Sequence, residues 1–168
     1  RLAAFLWRSV PNGQLLDAAE RGDLDTDQGM VDTARQMLST PGSERMIDDL
    51  GAQWLLQRQT ESADPEYEQF PDFDEDLRAA MLAETRLVFN ELWTGDHSLL
   101  DLVNTDFTYI NERLARHYGM EGVEGPEFVR VDLPAMNRGG ILTHASWLTA
   151  TSQRTRTSPV KRGKWVLE

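Results

Sequence analysis

From residue 75 to 93 the side chains Leu77, Ala80, Met81, Leu87, Val88 and Leu92 return on a period of about 3.6 residues, interrupted once by Glu84. A strand buries alternate residues, so this spacing commits the stretch to a long amphipathic helix, with Thr94, Gly95 and Asp96 as its stop. The same period runs elsewhere. Met30, Val31, Ala34, Met37 and Leu38 share one face ahead of Pro41. Ile47, Leu50, Gly51, Trp54 and Leu55 predict another long helix over about residues 43–59, its stripe facing a core. The chain is therefore expected to be mostly α, an irregular multi-helix bundle with at most a short strand or hairpin.

Local punctuation fits that reading. Leu2, Phe5 and Leu6 suit the end of one helix, Asn12 or Pro11 opens the next before Gly22, and Asp25 or Thr26 caps the third. Ser98 is a cap for residues 98–103, Asn111 for a helix that ends at Gly119, and Ser158 or Pro159 starts the last helix. Residues 61–76 carry eight acids, two prolines and three aromatics with no helical stripe, and read as a connector. Phe128, Val129, Val131 and Leu133 alternate and permit one brief strand; one further helix is expected within residues 138–152.

Composition narrows the function classes. The 168 residues have a net charge of −11, which opposes the phosphate neutralisation that drives nucleic-acid binding, so no nucleic-acid partner is expected. The charge is unevenly spread. Residues 131–168 hold six basic and two acidic residues, net +4, which leaves residues 1–130 at −15. No cysteine occurs, which excludes a disulfide, a thiolate zinc site, an iron–sulfur cluster and covalent c-type haem within these residues, while leaving the compartment open. No apolar run reaches the length of a membrane span, so no transmembrane segment is expected here. Arg1 stands in mid-pattern and the final KWVLE lacks a helix stop, so the residues read as a piece of a longer protein.

Several residue groups invite chemistry. The basic run Arg154, Arg156, Lys161 and Arg162, with Lys164, suits docking against the chain's own acids, an interdomain contact, or an anionic ligand such as an acidic polysaccharide. Asp106, Asn111, Glu112 and Arg113, with Tyr109 and Arg116, form a polar group that suits fixing a loop better than binding a ligand. The acids of 61–76 make calcium an alternative to a simple solvated connector, although an EF-hand pattern is lacking. His97, His117 and His144, with Asp96 or Asp101, are too scattered for a local metal signature and so leave the metal ligands unknown. A serine beside His144 lacks a nucleophile elbow, and Met81, Met120 and Met136 suit a core better than an axial iron position. No catalytic or cofactor-binding residue is assigned.

The wording of LAAFLWRSVPNGQLL, DLGAQWLLQRQ, FPDFDEDLRAAMLAET, DFTYINERLARHYGM and RGGILTHASWLTATSQRTRTSPVKRGKWVLE resembles the paired domains of unknown function of the planctomycete cytochrome-associated protein family. The resemblance implies two blocks, an acidic helical domain over 1–129 with its connector at 61–76, and the start of a basic domain over 130–168, cut short at its C-terminus. It further implies an exported, periplasmic or cell-surface multidomain protein whose haem sits in a separate cytochrome c-like domain, since CxxCH is missing here. The expected role is a non-catalytic interaction or scaffold region whose partners are the parent protein's other domains. The alternatives are part of an enzyme that degrades or oxidises an extracellular polymer, and a calcium-stabilised structural domain.

Overall fold

The computed structural model describes residues 1–95, 97–98, 100–133 and 138–167. It is mostly helical with one two-stranded hairpin-like sheet. The chain divides into two units, Arg1–Leu50 and Gly51–Glu168.

In the first unit, α1 (Leu2–Leu6) leads to α2 (Gly13–Glu20), where Asn12 Oδ1 accepts the Leu15 N–H at 2.9 Å. Next comes α3 (Asp27–Leu38), whose first turn is closed by Thr26 Oγ1 on the Gly29 N–H. These caps satisfy amide protons that have no partner inside the helix. A 3-10 turn at Pro41–Ser43 leads into α4 (Glu44–Trp54). The Trp7 indole N–H reaches Met37 O and Thr40 Oγ1, both at 3.1 Å, and pins α1 to the end of α3. Met37 and Ile47 are buried, but Phe5, Met30, Val31 and Leu50 are exposed. Periodicity finds the apolar face of a helix; whether something covers that face is a tertiary matter.

The second unit corrects one expected element. The helix foreseen over 43–59 is two helices, because Leu56 turns left-handed at φ 57° and separates α4 from α5 (Gln57–Glu61). Leu55 is fully buried just before this break, whereas Trp54 is exposed at its rim. After the connector, α6 (Glu75–Thr94) begins at Asp74, whose Oδ1 accepts Leu77 N–H at 2.7 Å, and ends at Gly95. The Leu77 N–H and the Arg113 guanidinium hold the Asp74 carboxyl below its ordinary range. This helix is the axis of the unit. It packs against α5, against α7 (Asp101–Asn104), β1 (Phe107–Ile110), α8 (Glu112–Tyr118), and α9 (Ala145–Ala150). Strand β1 pairs antiparallel with β2 (Val129–Asp132), Thr108 opposite Val131 and Ile110 opposite Val129.

Leu77, Ala80, Met81, Ile110, Leu114 and Ala145 form one buried cluster. A 3-10 turn at Ile141–Thr143 precedes α9, and α10 (Pro159–Leu167) closes the described chain with Trp165 edge-on to Trp147. Asn111 Oδ1 caps α8 on Leu114 N–H, and Gly119 ends it in the left-handed region, as the sequence predicts.

Candidate functional site

Beneath the candidate site lies a buried polar network on the inward face of α6. Glu84 is 1% exposed; its Oε1 accepts the Thr108 hydroxyl at 2.7 Å and its Oε2 the Tyr118 hydroxyl at 2.5 Å. The Tyr118 oxygen in turn accepts the Ala145 N–H at 2.8 Å, at the start of α9. A carboxylate can be retained inside a core only when its acceptor sites are used in this way. Burial, then the Glu84 charge, hold the Tyr118 phenol well above its ordinary range, so it stays protonated and keeps donating. The Arg138 guanidinium lies over the Tyr118 ring, 3.7 Å from its centroid, and donates to Thr143 O.

One residue along α6, Thr85 Oγ1 stands 3.0 Å from His144 Nδ1 and 2.6 Å from Ser146 Oγ. Thr60 Oγ1 donates to Ser146 O at 2.7 Å and ties α5 to α9. His144 Nε2 has no partner among the described residues, an arrangement least costly when the proton sits on Nδ1 and is donated to Thr85. A nucleophilic serine would have to face the imidazole and the solvent. Here Thr85 lies between Ser146 and His144, and both are sealed inside.

Burial depresses the His144 pKa below its ordinary 6.5. The group is neutral in the folded chain while the unfolded chain takes up a proton, so stability falls as pH drops below about 6.5. Chemical denaturation at pH 7.5 and 5 is expected to show wild type losing up to about 1.4 kcal/mol per pH unit in excess of His144→Gln. The variant retains part of the slope through His117, whose pKa is also lowered, first by burial and then by Arg113. Equal slopes would remove His144 as the source.

Above this network opens a cleft of about 820 Å³. Leu77, Met81 and Ala145 line its apolar part, the connector supplies Phe70 and Phe73, and the stretch from Leu148 to Arg162 supplies polar side chains. Arg154, Arg156, Lys161 and Arg162 all line it, joined by Arg138 and His117. Arg154 meets acid: its Nη2 lies 2.9 Å from Asp64 and 3.7 Å from Glu66, and its carbonyl accepts Glu66 N–H. The other three differ. Arg156 donates to Gln153, Lys161 to Ser152 O at 2.8 Å, and Arg162 to Ser152 Oγ at 3.4 Å. Among the described residues no carboxylate forms an ion pair with Arg138, Arg156, Lys161 or Arg162. Arg162 Nε is sealed from solvent and has no acceptor among the described residues.

The second polar group is distributed along α8 and its neighbours. Glu112 accepts Arg116 at 2.8 Å through one oxygen and Gly125 N–H at 2.9 Å through the other. Arg113 donates to Asp72 O and to Asp74, which fastens the connector's end to α8. Asn111 is the α8 cap, and exposed Asp106 accepts the Leu133 N–H with its backbone carbonyl. Among the described residues no group of three or more His, Asp or Glu is arranged to hold a metal ion. Met81 is a core residue, while Asp96 and Met136 lie outside the described residues.

Sequence reading missed Arg138, Phe70 and Phe73 as cleft residues and Glu84, Thr85 and Tyr118 as one network. The single polar break in the α6 stripe was the only signal of the latter. Together these features give a mostly helical unit with a polar-centred core beneath an open cationic cleft. Residues 1–120 match the PSD4 family model, a protein of unknown function (DUF1592), and residues 138–168 match PSCyt3, a protein of unknown function (DUF1588). The chain belongs to this planctomycete cytochrome-associated family. No curated protein and no solved structure matches it.

Proposed function

We propose that this chain is a non-catalytic interaction region of a larger exported, haem-associated multidomain protein, and that Arg156, Lys161 and Arg162 present its anion-recognising contact. One observation carries the reading: the acid–base side chains Glu84, His144 and Ser146 sit in a sealed network, while Arg156, Lys161 and Arg162 line the open cleft with no carboxylate partner among the described residues. Arg154 has the complementary part of holding the connector to the basic segment. Asp106, Asn111, Glu112 and Arg113 keep α8 and its flanking loops in place. Haem belongs to a separate cytochrome c-like module in this reading, because covalent attachment requires cysteines and this chain has none. The boundary near residue 130 is one between family blocks, both of which contribute to the folded second unit.

The test compares the full chain with Arg156→Ala/Lys161→Ala/Arg162→Ala in rising sodium sulfate, with sodium chloride at matched ionic strength. Sulfate stabilises proteins in general by exclusion from their surface, an effect common to both. Binding adds a concentration-dependent rise on top. Wild type is expected to gain a few degrees more than the variant; identical gains would overturn the anion contact.

A further inference from the structure

We infer that the cleft is a binding site for a short acidic saccharide, one that carries carboxylate or sulfate groups on a hydroxyl-rich chain. The inference rests on the anion-recognition reading and deepens it. Charge supplies the first argument. Five cationic side chains line the cleft against two carboxylates, Asp64 and Asp72, and Asp64 is already matched to Arg154. Among the described residues, Arg138, Arg156, Lys161 and Arg162 line it without a carboxylate in ion-pair contact. Planar guanidinium groups pair with carboxylate and sulfate oxygens through two parallel N–H bonds.

Neutral polar side chains supply the second argument. Gln59, Gln69 and Gln153 line the same cleft, and each amide offers both donors and acceptors. A ring hydroxyl needs such dual partners, whereas an acidic peptide of the same charge offers few groups that would use them. An exposed ring completes the set: Phe70 lines the cleft and is 41% exposed, an apolar face of the kind that covers the C–H face of a sugar. The volume of about 820 Å³ lies inside the roughly 300–1,000 Å³ range of pockets that enclose small ligands. Nucleic acid fits less well, since the chain as a whole repels it at −11.

Calorimetric titration of the full chain with trigalacturonate, the neutral galactotriose, triglutamate and sodium sulfate tests this. Trigalacturonate is expected to bind at least tenfold more tightly than triglutamate or galactotriose. Phe70→Ala should lower trigalacturonate affinity about tenfold and leave the sulfate response unchanged, which also shows that the variant is folded. Arg156→Ala/Lys161→Ala should lower binding of both. Sulfate binding without saccharide binding would overturn the saccharide site and leave the anion contact standing, as would equal or tighter binding of triglutamate. An unaffected Phe70→Ala would overturn the proposed ring contact and with it the site. Failure of all four ligands would overturn both readings.

Discussion

Gly140→Ala is expected to destabilise the second unit by about 3–5 kcal/mol, a sum of backbone strain and steric overlap. Gly140 sits at φ 61° and ψ 174°, a combination that residues with a Cβ essentially do not adopt. A Cβ built there overlaps the Val103 carbonyl and comes within 2.9 Å of Asn104 N. These are backbone atoms at the end of α7, which cannot rotate aside as a side chain would. The approach is close for a reason: Gly140 N–H donates to Thr105 O and Thr105 Oγ1, both at 3.1 Å, and so fastens the start of the C-terminal segment to the corner before β1. Thermal melts followed by circular dichroism should show the midpoint falling by roughly 8–15 °C. Gly163→Ala provides the contrast, since that glycine lies within α10 with open space around it; a gain of up to about 1 kcal/mol is expected. A Gly140→Ala midpoint within about 2 °C of wild type would refute the clamp.

The second large effect concerns Glu84. Glu84→Ala removes the acceptor of two buried hydroxyls, Thr108 and Tyr118, and opens a cavity beside the core of α6. Each orphaned buried donor costs about 1–3 kcal/mol, and the cavity adds to it, so a loss of about 3–5 kcal/mol is expected in urea unfolding. Glu84→Gln should lose less, because its amide keeps the volume and one oxygen acceptor. The more diagnostic variant is Glu84→Leu/Thr108→Val, which removes one donor together with its acceptor. It should recover part of the loss of Glu84→Ala, since replacing both partners by apolar groups of similar shape is far cheaper than removing one. Tyr118 remains without relief there, because its O–H has lost Glu84 Oε2, while its oxygen is still needed by the Ala145 N–H. If Glu84→Ala unfolded within about 1 kcal/mol of wild type, the network would have no structural weight.

How much of this was legible in the sequence depended on the range of the interaction. Caps act across three residues, and Asn12, Thr26 and Asn111 each cap the helix that follows. The long α6 stripe and the stop at Gly95 were equally local. The break at Leu56 was not legible, because the apolar period continues through it and periodicity records faces, not interrupted hydrogen bonds. Glu84 was visible as an irregularity, but its partners lie 24 and 34 residues away, and only the fold brings them to it. The basic run likewise gave four cleft residues by charge alone. Phe70 and Arg138, both well before it in the chain, came to line the same cleft only through the packing of α9 on α5 and α6.

The bond from Thr60 to Ser146 spans 86 residues, and the helices that it joins are packed directly together. On a ribosome the N-terminal partner emerges long before the C-terminal one. For that interval Thr60, Thr85 and the apolar faces of α5 and α6 have no cover, so the nascent second unit waits open until about residue 150 has cleared the exit tunnel, and a chaperone that shields α6 in that window would act on the helix that α7, β1, α8 and α9 must all find.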